Sequence, residues 1–241
     1  MDFTFEFGQT AESEAFFDRN PKFYPAFERL TALINKCFGR SLQPKNRTED
    51  ICFGLGESCR DDFTEILFLA VNGYATGALK LLRGLYERAV ALAYIIKCPD
   101  KTERFVRYAA IQEHKAMEAA LKVVSETEFD AVMTPDNTAS RIRERYKAVK
   151  PEFQTTLCKQ CHNQGTAFSW DIDVASMVRE VGSPFGRYYL GSYTIPNLHV
   201  HATLASLRED NAEPEKRANK RHQEAEFALI SGSTVSLSSF S

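Results

Sequence analysis

Long hydrophobic runs are missing from this 241-residue chain: the longest, Ala89 to Ile96, is eight residues. A membrane-spanning helix needs about 20, so no membrane partner is expected. Charge of one sign is missing too. Thirty Lys and Arg stand against 32 Asp and Glu, a formal net charge of −2, which excludes the global basic field of a dedicated nucleic-acid binder. There is no Gly-rich phosphate loop, since GLGES at 54–58 lacks both the following Lys and the strand–turn–helix setting. G-x-S-x-G, H-E-x-x-H and paired Asp motifs are absent, and so are long alternating strand patterns and internal repeats. The opening MDFTFEFGQTAESEAFF has neither a basic n-region nor a long apolar core, so no signal peptide is expected and the location is read as cytoplasmic.

What is present is helical periodicity. FERLTALINKCF sets Phe27, Leu30, Leu33, Ile34 and Phe38 on one face. A second helix is expected from about Glu49 to Val71, stopped by Asn72-Gly73. A third runs from Thr76 to Lys97, a fourth from Lys101 to Val124 and a weaker one over Ser140–Val149. Residues 150–170 read as a loop. Helices follow at Asp171–Val181 and from Ser183 to about Tyr193, where Pro196 is expected to break the chain before a turn carries His199 and His201 into another helix. The pattern predicts an all-α, single-domain bundle of about seven to nine helices. Residues 1–20 read as a loosely ordered entry segment, 21–210 as the bundle, and 211–241 as a charged helix with a frayed Ser-rich tail.

The third helix stands out. GALKLLRGLYERAVALAYIIK is apolar nearly all round, which marks a buried central element. Yet it carries Arg83, Glu87 and Tyr94 on one stripe. Arg83 and Glu87, one turn apart, can pair. In a buried setting an idle pair is costly to desolvate. The stripe therefore either lines a polar pocket or joins a structural network, and both readings stay open. His199 and His201 sit two apart, so in a helix only one faces the bundle. Either is a general base, a ligand or a satisfied core group.

Six cysteines occur, and a reducing compartment leaves them as free thiols. Cys158-Lys-Gln-Cys161-His162 matches the pattern for covalent haem attachment, but no export signal accompanies it. Cys158 and Cys161 could also supply half a zinc site; two free thiols in a loop is the plainer reading, and no metal or cofactor is expected. Helical RNA-cleaving proteins use Arg, four to six residues, then His, the Arg stabilising phosphate charge and the His moving a proton. Arg217 to His222 and Arg107 to His114 fit that spacing, as chance allows in a chain of this composition.

Four pieces in order carry a family resemblance: ATGALKLLRGLYERAVALAYII (75–96), RFVRYAAIQEHK (104–115), Trp170 with the helix DVASMVREVG (173–182), and GRYYLGSYTIPNLHVHA (186–202). Together they resemble the bacterial all-helical family of unknown function 5677, over about 60–205. The resemblance singles out Arg83, Glu87, Tyr189, Ser192 and one of His199 or His201; Thr194-Ile195-Pro196 is an insertion relative to the family pattern. It implies a distant similarity to helical abortive-infection and RNA-cleaving proteins. Two functions follow as expectations. One is a polar intrabundle site with Arg83, Glu87, His199 and His201 as catalytic candidates and Tyr94, Tyr189 and Ser192 as binding candidates, cleaving RNA without a metal in stress or phage defence. The other is a non-catalytic helical interaction module with a buried Arg–Glu network. RNA and a second copy of the chain are the partners expected.

Overall fold

The computed structural model describes residues 10–38, 43–156, 164–200 and 214–240. Among the described residues the fold is all-α apart from one short antiparallel pair of strands. It forms two compact units, Met1–Lys97 with Val174–Ser241, and Cys98–Asp173. No helix among the described residues is long and apolar enough to cross a membrane.

The first unit is organised around α3 (Arg47–Val71) and α4 (Ala75–Lys97). Asn46 caps α3 by accepting the Glu49 N–H at 2.9 Å, and the Glu49 carboxylate accepts the Lys45 N–H at 2.8 Å. The first bond satisfies a donor that a helix start leaves open, and the second ties the preceding residue to the first turn. Gly73, at φ 79°, turns the chain into α4, a conformation that favours glycine. Leu79, Leu82, Leu85, Tyr86, Val90 and Ile95 are buried along α4, as its apolar circumference demands.

Two expectations for the ends of the chain differ from the structure. The entry segment contains α1 (Thr10–Arg19), whose Phe16 is buried edge-to-face against Phe23 of α2 (Phe23–Phe38), with centroids 5.2 Å apart. The Ser-rich tail continues the last helix, and both α3 and α4 pack on that helix. Ser231, Gly232 and Val235 are buried there. A Cβ on Gly232 would stand 3.4 Å from the Phe63 ring and 3.7 Å from Leu85. The small side chains that made this stretch look frayed are what lets two backbones approach.

In the second unit α5 (Thr102–Ala120), α6 (Glu126–Val132) and α7 (Ala139–Val149) enclose Met117, Ala139 and Ile142. A reciprocal capping box of Ser125 and Glu128 starts α6. The expected loop at 150–170 holds an antiparallel hairpin, β1 (Gln154–Thr156) and β2 (Gln164–Thr166), with Gln154 opposite Thr166. Cys158, Cys161 and His162 lie outside the described residues.

Back in the first unit, α8 (Val174–Val181) and α9 (Phe185–Tyr189) lead through a π-helical turn (Leu190–Thr194) directly into α10 (Ile195–Val200). Pro196 does not break the chain there. It lies in the first turn of α10, where its missing N–H removes no helical bond. The last helix is α11 (Pro214–Phe240). The chain thus makes more helical pieces than the seven to nine expected, because 174–200 is subdivided.

Candidate functional site

The charged stripe of α4 meets the π-turn and α10. Arg83 Nε donates to Glu87 Oε1 at 3.0 Å, the helical i, i+4 pair that the spacing predicts. Arg83 Nη1 donates to Asn197 Oδ1. The guanidinium carbon also stands 5.3 Å from the centroid of the Tyr193 ring, a cation–π distance. The Arg83 side chain is 25% exposed and that of Glu87 38%. The pair is therefore neither sealed in the core nor standing freely in bulk water. Two of its donors are fixed, and a quarter of the side chain is exposed.

Beneath this pair lies a tyrosine cluster. Tyr86, one residue before Glu87, is fully buried and donates its hydroxyl to the Phe185 carbonyl at 2.8 Å. Its ring centroid is 6.3 Å from that of Tyr189 and 6.1 Å from that of Tyr193, and these two are 5.1 Å apart. Burial, reinforced by Tyr189, pushes the Tyr86 phenol well above its ordinary range, so it acts as a neutral donor.

The remaining candidates are distributed as follows. Ser192 is fully buried in the π-turn, and its Oγ has no hydrogen-bond partner among the described residues. An unsatisfied hydroxyl costs roughly 1–3 kcal/mol, and π-turns are frequent at functional sites. His199 is also buried. It shares a face with Ser192 and Pro196, and helical geometry turns it about 200° from Asn197, the residue that holds Arg83. Tyr94 is buried eleven residues beyond Arg83, about 16 Å along the helix axis, so it belongs to the stripe but not to this cluster. His201 lies outside the described residues. Asn197 and Tyr193 were not singled out from the sequence.

Of the other motif candidates, the side chain of Arg217 lies outside the described residues, and three are engaged elsewhere. Arg107 is held by both oxygens of Glu152. His114 stacks on Tyr146 at 3.7 Å with 11° between the planes. His222 pairs with Glu12 at 2.8 Å. No group of three or more His, Cys, Asp or Glu is placed to hold a metal among the described residues.

Away from the stripe, Asp62 of α3 accepts from Arg88 of α4, and its side chain is only 13% exposed. Burial pushes its carboxyl up to about 6, against the pull of Arg88 and with help from Glu65 and Asp61. Burial, and then the Asp62 charge, pushes the neighbouring Cys59 thiol up to about 12. That makes it an inert core thiol.

One family model, described as a family of unknown function (DUF5677), matches residues 49–218. The match covers α4 and the 185–200 segment, both sides of the Arg83 cluster. No curated protein and no solved structure matches the chain.

Proposed function

We propose, for a chain that belongs to the family of unknown function DUF5677, that the cluster built on Arg83 binds the phosphodiester backbone of RNA and cleaves it without a metal ion. The observation that carries this reading is the state of the guanidinium. Glu87 and Asn197 fix two donors, and a quarter of the side chain remains open. A guanidinium immobilised in this way meets phosphate oxygens with little ordering left to do, and its charge grows in value as the phosphorane forms. In the reaction the ribose 2′-oxygen attacks phosphorus and the 5′-oxygen leaves, giving a 2′,3′-cyclic phosphate. Arg83 holds the phosphate, Glu87 orients Arg83, and His201, in preference to His199, which faces away from Asn197, moves the proton. The Tyr189 ring is the binding group on this reading; Ser192, fully buried, backs the π-turn and does not meet the RNA strand. The setting that fits the resemblance is stress or phage defence in the bacterial cytoplasm.

A second reading is favoured by its own observation. The Arg83–Asn197 bond and the Tyr86–Phe185 bond both tie α4 to the 185–197 segment. On this reading the cluster is a clamp, and the protein is a non-catalytic interaction module.

Cleavage of labelled RNA in excess chelator separates the two. The first reading expects cyclic-phosphate products from wild type, at least a 100-fold loss in Arg83→Gln and in one of His199→Ala or His201→Ala, and nearly unchanged melting. Absence of cleavage by wild type, with a large fall in melting temperature for Arg83→Gln, refutes the enzyme and leaves the clamp.

A further inference from the structure

The segment that carries Asn197 is turned inside out. Its polar Ser192 and His199 are buried, whereas Leu190, Ile195 and Leu198 are 64%, 39% and 48% exposed. One π-turn and then roughly one α-turn separate these three, so they form a single outward stripe. Beside it on α11 stand Phe227 and Ile230, one turn apart, 38% and 67% exposed. The two stripes adjoin, because a Cβ on Gly191 would lie 2.5 Å from the Phe227 ring. Charge is absent from both: no Asp, Glu, Lys or Arg occurs from Tyr188 to Val200 or from Phe227 to Ser241.

Ser192 and His199 face inward, and this leaves three large aliphatic side chains outward. We infer that a second copy of this chain covers them, with the α10 stripe of each copy meeting the α11 stripe of the other about a two-fold axis. The five side chains expose about 400 Å² of apolar surface per copy. Doubled by symmetry that is about 800 Å², the range of a weak, exchanging dimer rather than an obligate one. A charge-free face meets its own image without like-charge repulsion. Two helical rods from each copy then pack as four, with residue i touching j and j touching i. This interface stands whichever reading of the Arg83 cluster holds.

Light scattering after size exclusion, on the full chain at about 50 µM, tests it. Wild type is expected at the mass of two chains. Leu198→Gln with Ile230→Gln is expected to weaken the dimer at least tenfold with unchanged far-UV circular dichroism. Val123→Gln, at an exposed apolar position of the other compact unit, should leave it intact. If the double variant loses helicity, each single substitution serves instead, with at least threefold weakening expected. A one-chain mass for wild type overturns the inference, and so does a dimer indifferent to these substitutions. A monomer that floats with phosphatidylcholine vesicles also overturns it, and assigns the face to a lipid surface.

Discussion

Asp62 sets burial against pairing, and the outcome is measurable. Its carboxyl accepts from Arg88, which favours the charged form, yet burial wins and raises it from 3.8 to about 6. An unfolded Asp titrates near 3.9. Between those two values the folded carboxyl keeps a proton that the unfolded one has lost, so this group's contribution to stability falls as pH rises through that window. Two pH units correspond to about 3 kcal/mol. Asp62→Asn removes the titration while keeping the shape. The stability gap between Asp62→Asn and wild type should therefore shift by about 2 kcal/mol in favour of the variant between pH 4 and pH 7. Denaturant unfolding of both proteins across that range measures it. Arg88→Met removes the attraction and should move the window upward. A gap that stays flat, or that closes below pH 4 with the opposite sign, would show that the ion pair dominates and that the burial argument is wrong.

Other consequences concern single side chains. His114 is held below its ordinary value, first by burial and then by Arg143 and Lys150, against the pull of Glu118. Its contribution is therefore complete above about pH 6.5 and lost as pH falls below it. His114→Phe, which keeps the stack on Tyr146, should abolish that acid sensitivity in hydrogen exchange of α5 and α7. Gly191→Ala places a Cβ against Phe227 and should destabilise by about 1–3 kcal/mol; Phe227→Leu should restore most of the loss, and a wild-type melt for Gly191→Ala alone would count against this packing. Ser192→Ala deletes an unpaired buried hydroxyl and should leave the fold as stable or up to about 1 kcal/mol more so, whereas a clear loss of stability would mean the hydroxyl has a partner in solution.

The sequence disclosed the parts of the molecule that depend on local spacing. The bounds of α4, the Gly73 stop and the Arg83–Glu87 pair all follow from helical periodicity within one segment. Asn197 was hidden because it meets Arg83 across 114 residues, and no period links such partners. The Ser-rich tail reads as frayed because its residues are weak helix formers, but propensity is a weak prior; packing of Gly232 against Phe63 and Leu85 overrode it. Phe16 was hidden in a polar stretch, since its burial depends on Phe23 beyond a turn. Pro196 misled for a positional reason: proline is disruptive in the middle of a helix but suits the first turn it occupies here.

The central claim is that Arg83 is held open for a phosphate. Its most direct test is fluorescence anisotropy with a 2′-O-methylated single-stranded RNA, which can bind but not react, comparing wild type with Arg83→Gln. A lost charge-assisted contact amounts to roughly 1.5–3 kcal/mol, so the variant should bind about 10- to 100-fold more weakly, with circular dichroism and melting close to wild type. Equal affinity of the two proteins, or no binding by wild type at low salt, contradicts the claim.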